Sequence, residues 1–165
     1  RISSIAEFTF KKVPSTLLIA GHDLKFAMPI VEAMKEMGIR VIVDKWSNHN
    51  VFEAEVSKKL LKQADAVWCE WALGNVVWYS KNIPDEIPLF VRYHSQERKL
   101  KYLEESNRAN IKNLSFVSPK LKEIALKLGQ SVGVQNTSVI PNTLKPKVNV
   151  SLKNDNYSAY EEQSK

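Results

Sequence analysis

The motif Arg92-x-His94-x-x-Glu97 starts near the end of the apolar run "PLFVRY" and continues past it, and Glu70, the last residue of "AVWCE", is followed by Trp71 and Asn75. Arginine and histidine at a strand tip supply hydrogen-bond donors to a ligand oxygen. A carboxylate, an indole face and an amide suit a polyol, which offers hydroxyls at its edge and C–H groups across its ring. A third group, "GHDLKF", sets His22, Asp23 and Lys25 after the run "STLLIA". Each of these residues also has a structural role open to it. Trp71 is either a platform or packing, Glu70 either a ligand partner or a cap for the next helix. Asn75 suits a helix start, Arg92 with Glu97 a surface pair of little weight, and His94 a hydrogen-bonded loop position. Trp68 and Cys69, inside their run, read as core, and Trp78 as a helix residue packed on the sheet.

Six short β-rich runs must position these groups: 15–20, 40–44, 66–70, 88–93, 114–118 and 137–140. Their centres lie 23 to 26 residues apart, the length a strand, a crossover helix and a return require. The runs are apolar throughout, as strands covered on both faces should be. Between them, "AMPIVEAMKEMG" carries Ile30, Val31, Met34 and Met37 at helical spacing and stops at Gly38. "NVFEAEVSKKLLKQA" repeats the pattern with Asn50 as N-cap, and "SPKLKEIALKLG" opens on Ser118 and Pro119. Strands alternating with five helical crossovers predict a doubly wound α/β domain, a mostly parallel sheet of six strands with helices on both faces. In such a sheet ligands bind outside the carboxyl ends of the strands, so the three polar groups fall along one edge. The domain is expected over 15–144, preceded by a lead or edge strand in 1–14 and followed by a polar linker over 145–165.

Composition narrows the choice. At 165 residues with 44% apolar content, one domain can bury roughly 70% of its unfolded surface. The first residue is Arg1 and no signal peptide stands before the domain, so a piece of a longer polypeptide is expected. A lone Cys69 excludes an internal disulfide and suits a reducing, cytoplasmic setting. Sequons at Asn113, Asn136, Asn149 and Asn156 read as accidents of an Asn-rich chain. The net charge of +6 favours phosphate-bearing partners. None of the five glycines forms a dinucleotide or P-loop fingerprint, and no G-x-S-x-G elbow is present. His22, His49 and His94 lack i, i+4 pairing and Cys69 lacks a partner, so no metal site is expected. Asp23, Glu70 and Ser118 at the tips of runs one, three and five fit a phospho-receiver poorly.

From Thr16 to Leu144 the chain resembles the N-terminal, acceptor-side domain of GT-B-fold glycosyltransferases of the family 4 group, a Rossmann-like half of that fold. The resemblance rests on "LLIAGHDLKFAMPIVEAMKEMGIRVIV", on "ADAVWCEWALGNVVWYSK" with "PLFVRYHSQE", and on "LSFVSPKLKEIALKLG" with "SVIPNTL". Only Gly21 stands where the family carries a glycine-rich loop, and Glu97 with Glu105 matches a donor-domain spacing in the wrong half. The resemblance implies transfer of a sugar from a nucleotide-sugar donor to a saccharide or lipid-linked acceptor, retaining and without metal or other cofactor, in polysaccharide or cell-envelope synthesis. The donor domain would lie outside this chain, leaving the chain alone inactive. It implies His94 and Arg92 near the reaction centre. Glu70, Trp71, Asn75, His22, Lys25 and Glu97 would hold the acceptor, and Pro141-Asn142 would form the hinge. A basic acceptor half would also rest on the inner face of an anionic membrane, where lipid-linked acceptors reside; no nucleic acid is expected. The contrasting expectation is a non-catalytic interaction module whose basic surface (Arg98, Lys99, Lys101, Arg108, Lys112, Lys120, Lys122, Lys127) binds anions.

Overall fold

A computed structural model describes residues 13–142. Six parallel strands form one sheet in the order β2-β1-β3-β4-β5-β6. They are β1 (Thr16–Gly21), β2 (Arg40–Lys45), β3 (Ala66–Glu70), β4 (Leu89–Tyr93), β5 (Ile111–Phe116) and β6 (Thr137–Val139). The helices are α1 (Met28–Glu36), α2 (Ala54–Leu61), α3 (Gly74–Asn82), the single turn α4 (Tyr102–Glu105) and α5 (Pro119–Lys127). This is a Rossmann-like α/β fold. The expected lead strand in 1–14 and the linker from 145 fall almost wholly outside the described residues.

Alternation along the strands divides the core in two. Val67, Cys69, Val91, Tyr93, Leu114 and Phe116 face one side, where they meet Leu61 of α2, Val76 and Tyr79 of α3, Leu103 of α4 and Ala125 of α5. Leu17, Ile19, Trp68 and Phe90 face the other, against Ile30, Val31 and Met34 of α1. Helices thus cover both faces, unequally among the described residues. Pro29 sits in the first turn of α1, where its missing N–H costs nothing. Gly38 ends that helix at φ +79°, the left-handed geometry that a side chain resists. At α5 the Ser118 hydroxyl accepts from the Leu121 N–H at 3.1 Å, as the Ser-Pro opening predicts.

Four expectations change. β5 begins at Ile111 rather than 114, because Asn113 is buried in a polar trio with Ser115 and Ser138 (2.7 to 3.1 Å) and so continues the strand. The crossover from β4 to β5 is not one helix but short 3-10 turns around α4, since apolar spacing is too sparse there to define a helical face. β2 is an edge strand with Val43 exposed, so it is not covered on both faces. Asn50 does not cap α2. The helix starts three residues later, and the Asn50 side chain accepts from the Tyr102 hydroxyl at 2.6 Å.

Candidate functional site

The strand order reverses between β1 and β3: the chain moves outward to β2 and then returns past β1 to β3. In an open parallel sheet such a reversal is where a ligand is expected to bind, at the carboxyl edge. Register places Glu70, the last residue of β3, beside Arg92 of β4, and Trp68 beside Phe90. All four side chains lie on the α1 face.

Glu70 and Arg92 are both 0% exposed. Glu70 Oε1 takes Arg92 Nη1 at 3.3 Å and His94 Nε2 at 2.9 Å, while Oε2 accepts from the Trp68 indole at 3.0 Å. Arg92 directs Nε to the Ile140 carbonyl (3.3 Å) and Nη1 also to the Phe26 carbonyl (3.1 Å). Its Nη2 reaches the Pro141 carbonyl at 2.9 Å and the Asn142 side-chain oxygen. A guanidinium has five N–H donors, and these five acceptors take all of them. Burial lowers the Arg92 pKa, and the Glu70 carboxylate opposes that shift. Arg92 is therefore a clamp that joins the tips of β3 and β4 to the start of α1 and to the chain leaving β6.

The ring of His94 is buried rather than open. Trp71 stacks on it with ring centroids 3.9 Å apart, and Phe26 lies 5.6 Å away. Trp71 is the single non-glycine residue at positive φ (68°) among those described, a conformation that costs on the order of 1–3 kcal/mol. Its indole N–H donates to the Asp23 carbonyl at 2.8 Å, so the stack and this bond hold it there. Glu97 is buried too. It accepts from the Ala72 N–H at 2.6 Å and from the His94 N–H, tying the β3 loop to the β4 loop. Burial pushes its carboxyl well above the ordinary range against those two backbone donors, with the nearby Glu70 adding to the rise.

Asn75 is likewise built in. Its amide nitrogen donates to the carbonyls of Ala20 (2.9 Å) and Glu70 (3.0 Å), and its oxygen accepts from the N–H groups of Leu73 and Val76. It bridges the tips of β1 and β3 across the reversal. The structure thus brings these predicted residues to one place and buries them there. Arg92, His94, Glu70, Trp71, Asn75 and Glu97 form a buried floor with satisfied polar groups, not a surface that meets a ligand directly.

The rim above that floor is different. His22 is half-buried and Lys25 exposed. Lys25 pairs with Asp23 at 2.8 Å and lies 4.9 Å over the Phe26 ring. The exposed His49, from the loop after β2, meets His22 edge-on with centroids 4.5 Å apart. Lys45 reaches the His22 carbonyl. Burial, then His49, lowers the pKa of His22; Lys45 and Lys25 lower it further while Asp23 raises it. Pro141 is exposed and Asn142 half-buried at the same edge. His49 and Phe26 were not legible as site residues. The signal for both was topological: loops after neighbouring strands of a parallel sheet share an edge. The rim is ring-bearing and basic, suited to hydroxyls and anionic oxygens.

Among the described residues no three His, Cys, Asp or Glu side chains gather as metal ligands. No helix there is long and apolar enough to cross a membrane. No family model, curated protein or solved structure matches the chain.

Proposed function

We propose that the chain is the acceptor-side half of a two-domain glycosyltransferase, moving a hexosyl group from a nucleotide-sugar to a hydroxyl of a saccharide or lipid-linked acceptor. The acceptor meets the rim of His22, Lys25, Phe26 and His49, and a second domain beyond Asn142 holds the nucleotide. The observation that carries this reading is the saturated Arg92. It fixes the departing segment Ile140–Asn142 to the carboxyl edge of the sheet, so a domain continuing from there would face that edge.

The chain's contribution to the reaction is placement. Holding a hydroxyl within reach of the donor carbon lowers the barrier by prepaid entropy, and a rim on a rigid buried floor suits that task. The acceptor oxygen bonds to the anomeric carbon as the bond to the diphosphate oxygen breaks, and the hydroxyl proton leaves with the diphosphate. Glu70, Arg92 and His94 act as positioning residues. Retention at the anomeric carbon, no requirement for metal, and work at the cytoplasmic face of a membrane complete the proposal.

The contrasting reading, an anion-binding module, draws less support. Lys120 and Lys127 both pair with Glu123 on exposed α5 (3.1 and 2.8 Å), Lys112 donates to Gln135, and Lys122 to the Thr137 carbonyl. These are local contacts of a solvated face. The test is sugar transfer by the longer protein carrying this chain, with UDP- and GDP-hexoses and saccharide acceptors. Calorimetry of the chain alone should give no tight nucleotide-sugar binding. Tight binding there would overturn the division of labour.

A further inference from the structure

A cavity of about 310 Å³ lies between α3, α4 and the loop 46–53 that leaves β2. That is the lower end of the size range of small-molecule sites, roughly 300–1,000 Å³. Its walls are the half-buried rings of Phe52, Trp78 and Tyr102. The rings are held in place from behind. Phe52 stacks flat on buried Trp46 (centroids 3.9 Å, 4° between planes), and the Trp46 indole is fixed by Asp44 at 2.9 Å. Asp44 also takes Ser57 (2.6 Å) and Tyr79 (2.7 Å). Trp78 meets Phe52 edge-on at 5.7 Å.

The polar groups at this cavity are distributed unlike those of the floor. The Asn50 oxygen is taken by the Tyr102 hydroxyl at 2.6 Å, which leaves the amide N–H groups of Asn50 with no partner among the described residues. The exposed Lys81 and Glu105 line the same cavity and make no ion pair among those residues. One positive and one negative group balance, so neither a phosphate nor a charged peptide is selected. Ring faces backed by a rigid stack and bordered by an amide, an ammonium and a carboxylate match a neutral pyranose, apolar across its C–H face and rich in hydroxyls at its edge.

We infer that this cavity is a neutral-sugar subsite that takes one ring of a glycan. The inference stands whether or not the carboxyl edge belongs to a transferase, since no residue of the floor lines the cavity. Where both hold, the loop 46–53 joins them: His49 touches His22 at the rim, while Asn50 and Phe52 face the cavity. A glycan several rings long would then be gripped at both.

The test is NMR titration of the chain with neutral oligosaccharides of one to four rings, built from glucose, mannose or N-acetylglucosamine. Saturable shifts are expected at Phe52, Tyr102 and the Trp78 indole, with no competition from inorganic phosphate. Trp78→Ala should weaken binding about tenfold. Because that change also removes packing, Lys81→Ala and Glu105→Ala serve as the second arm; each should weaken binding severalfold with an unchanged unfolding midpoint. The inference is overturned if no sugar of the panel gives saturable shifts at these rings. It is equally overturned if binding survives both the surface variants and a folded Trp78→Ala protein.

Discussion

Beneath the strand reversal, Arg92 and Glu70 have every donor or oxygen occupied by the protein itself. A few ångströms outward, His22 and His49 touch edge-on and face solvent, with Lys25 and Lys45 beside them. Both layers hold the residue types expected of a sugar site. The difference is saturation. A group whose hydrogen-bonding capacity is already used cannot exchange partners with a ligand without breaking a buried contact, and that costs more than it returns. The floor therefore fixes geometry, and under the proposed function recognition falls to the rim.

The sharpest break in that contrast is Glu70→Ala. It leaves the Arg92 guanidinium buried without its counter-charge, and loss of one partner of a buried pair costs about 3–5 kcal/mol. Urea unfolding should show a loss of that size; a loss under 1 kcal/mol would move the pair to the surface class. Next comes Gly74→Ala. A methyl at this first residue of α3 would run into the His49 carbonyl and the Asn50 backbone, so loop 46–53 must shift. Overpacking of this kind costs roughly 1–3 kcal/mol, and His49 resonances should move with it. A fully tolerated alanine would mean that the loop does not rest on α3.

Glu97 gives a pH test of the floor. Its carboxyl binds a proton more tightly when folded than the 4.5 typical of an open chain. Stability from this group is therefore complete below that value and is lost as pH rises through the elevated folded value. Glu97→Gln, which keeps an acceptor without the charge, should flatten the fall in the unfolding midpoint on the alkaline side. An identical pH profile in the variant would contradict the assignment. The smallest effect belongs to the rim. NMR titration should find His22 below 6.5, and His49→Ala should raise it. Because the folded protein favours neutral His22, stability from this group is complete above the unfolded value and is lost as pH falls through the lowered folded value.

Much of the architecture was readable in the chain. β3 was readable to the residue, the other strands except β5 to within a residue at either end, and the Ser118-Pro119 opening of α5 matched its cap. These features are local: apolar runs, caps and stops. The candidate site was readable as a place, because parallel topology brings strand tips to one edge, but not as a set of roles. Whether Arg92 is free depends on the Phe26, Ile140 and Pro141 carbonyls, which are set by tertiary folding and leave no trace in residue type. Trp71 looked like a platform because it follows a strand. Its positive φ and its stack on His94 turn it inward instead. The β4–β5 crossover departs from the expected single helix because regular spacing between strands says nothing about whether the intervening segment is one helix.

The most direct measurement compares a floor variant with a rim variant in the longer protein, reading sugar transfer and thermal unfolding together. His22→Ala should raise the KM for the acceptor while leaving the melting temperature unchanged. Arg92→Lys, which has too few donors for five acceptors, should lower the melting temperature and reduce the rate only as the fold loosens. An Arg92→Lys protein with a normal melting temperature and no turnover would put Arg92 on the substrate and contradict the account.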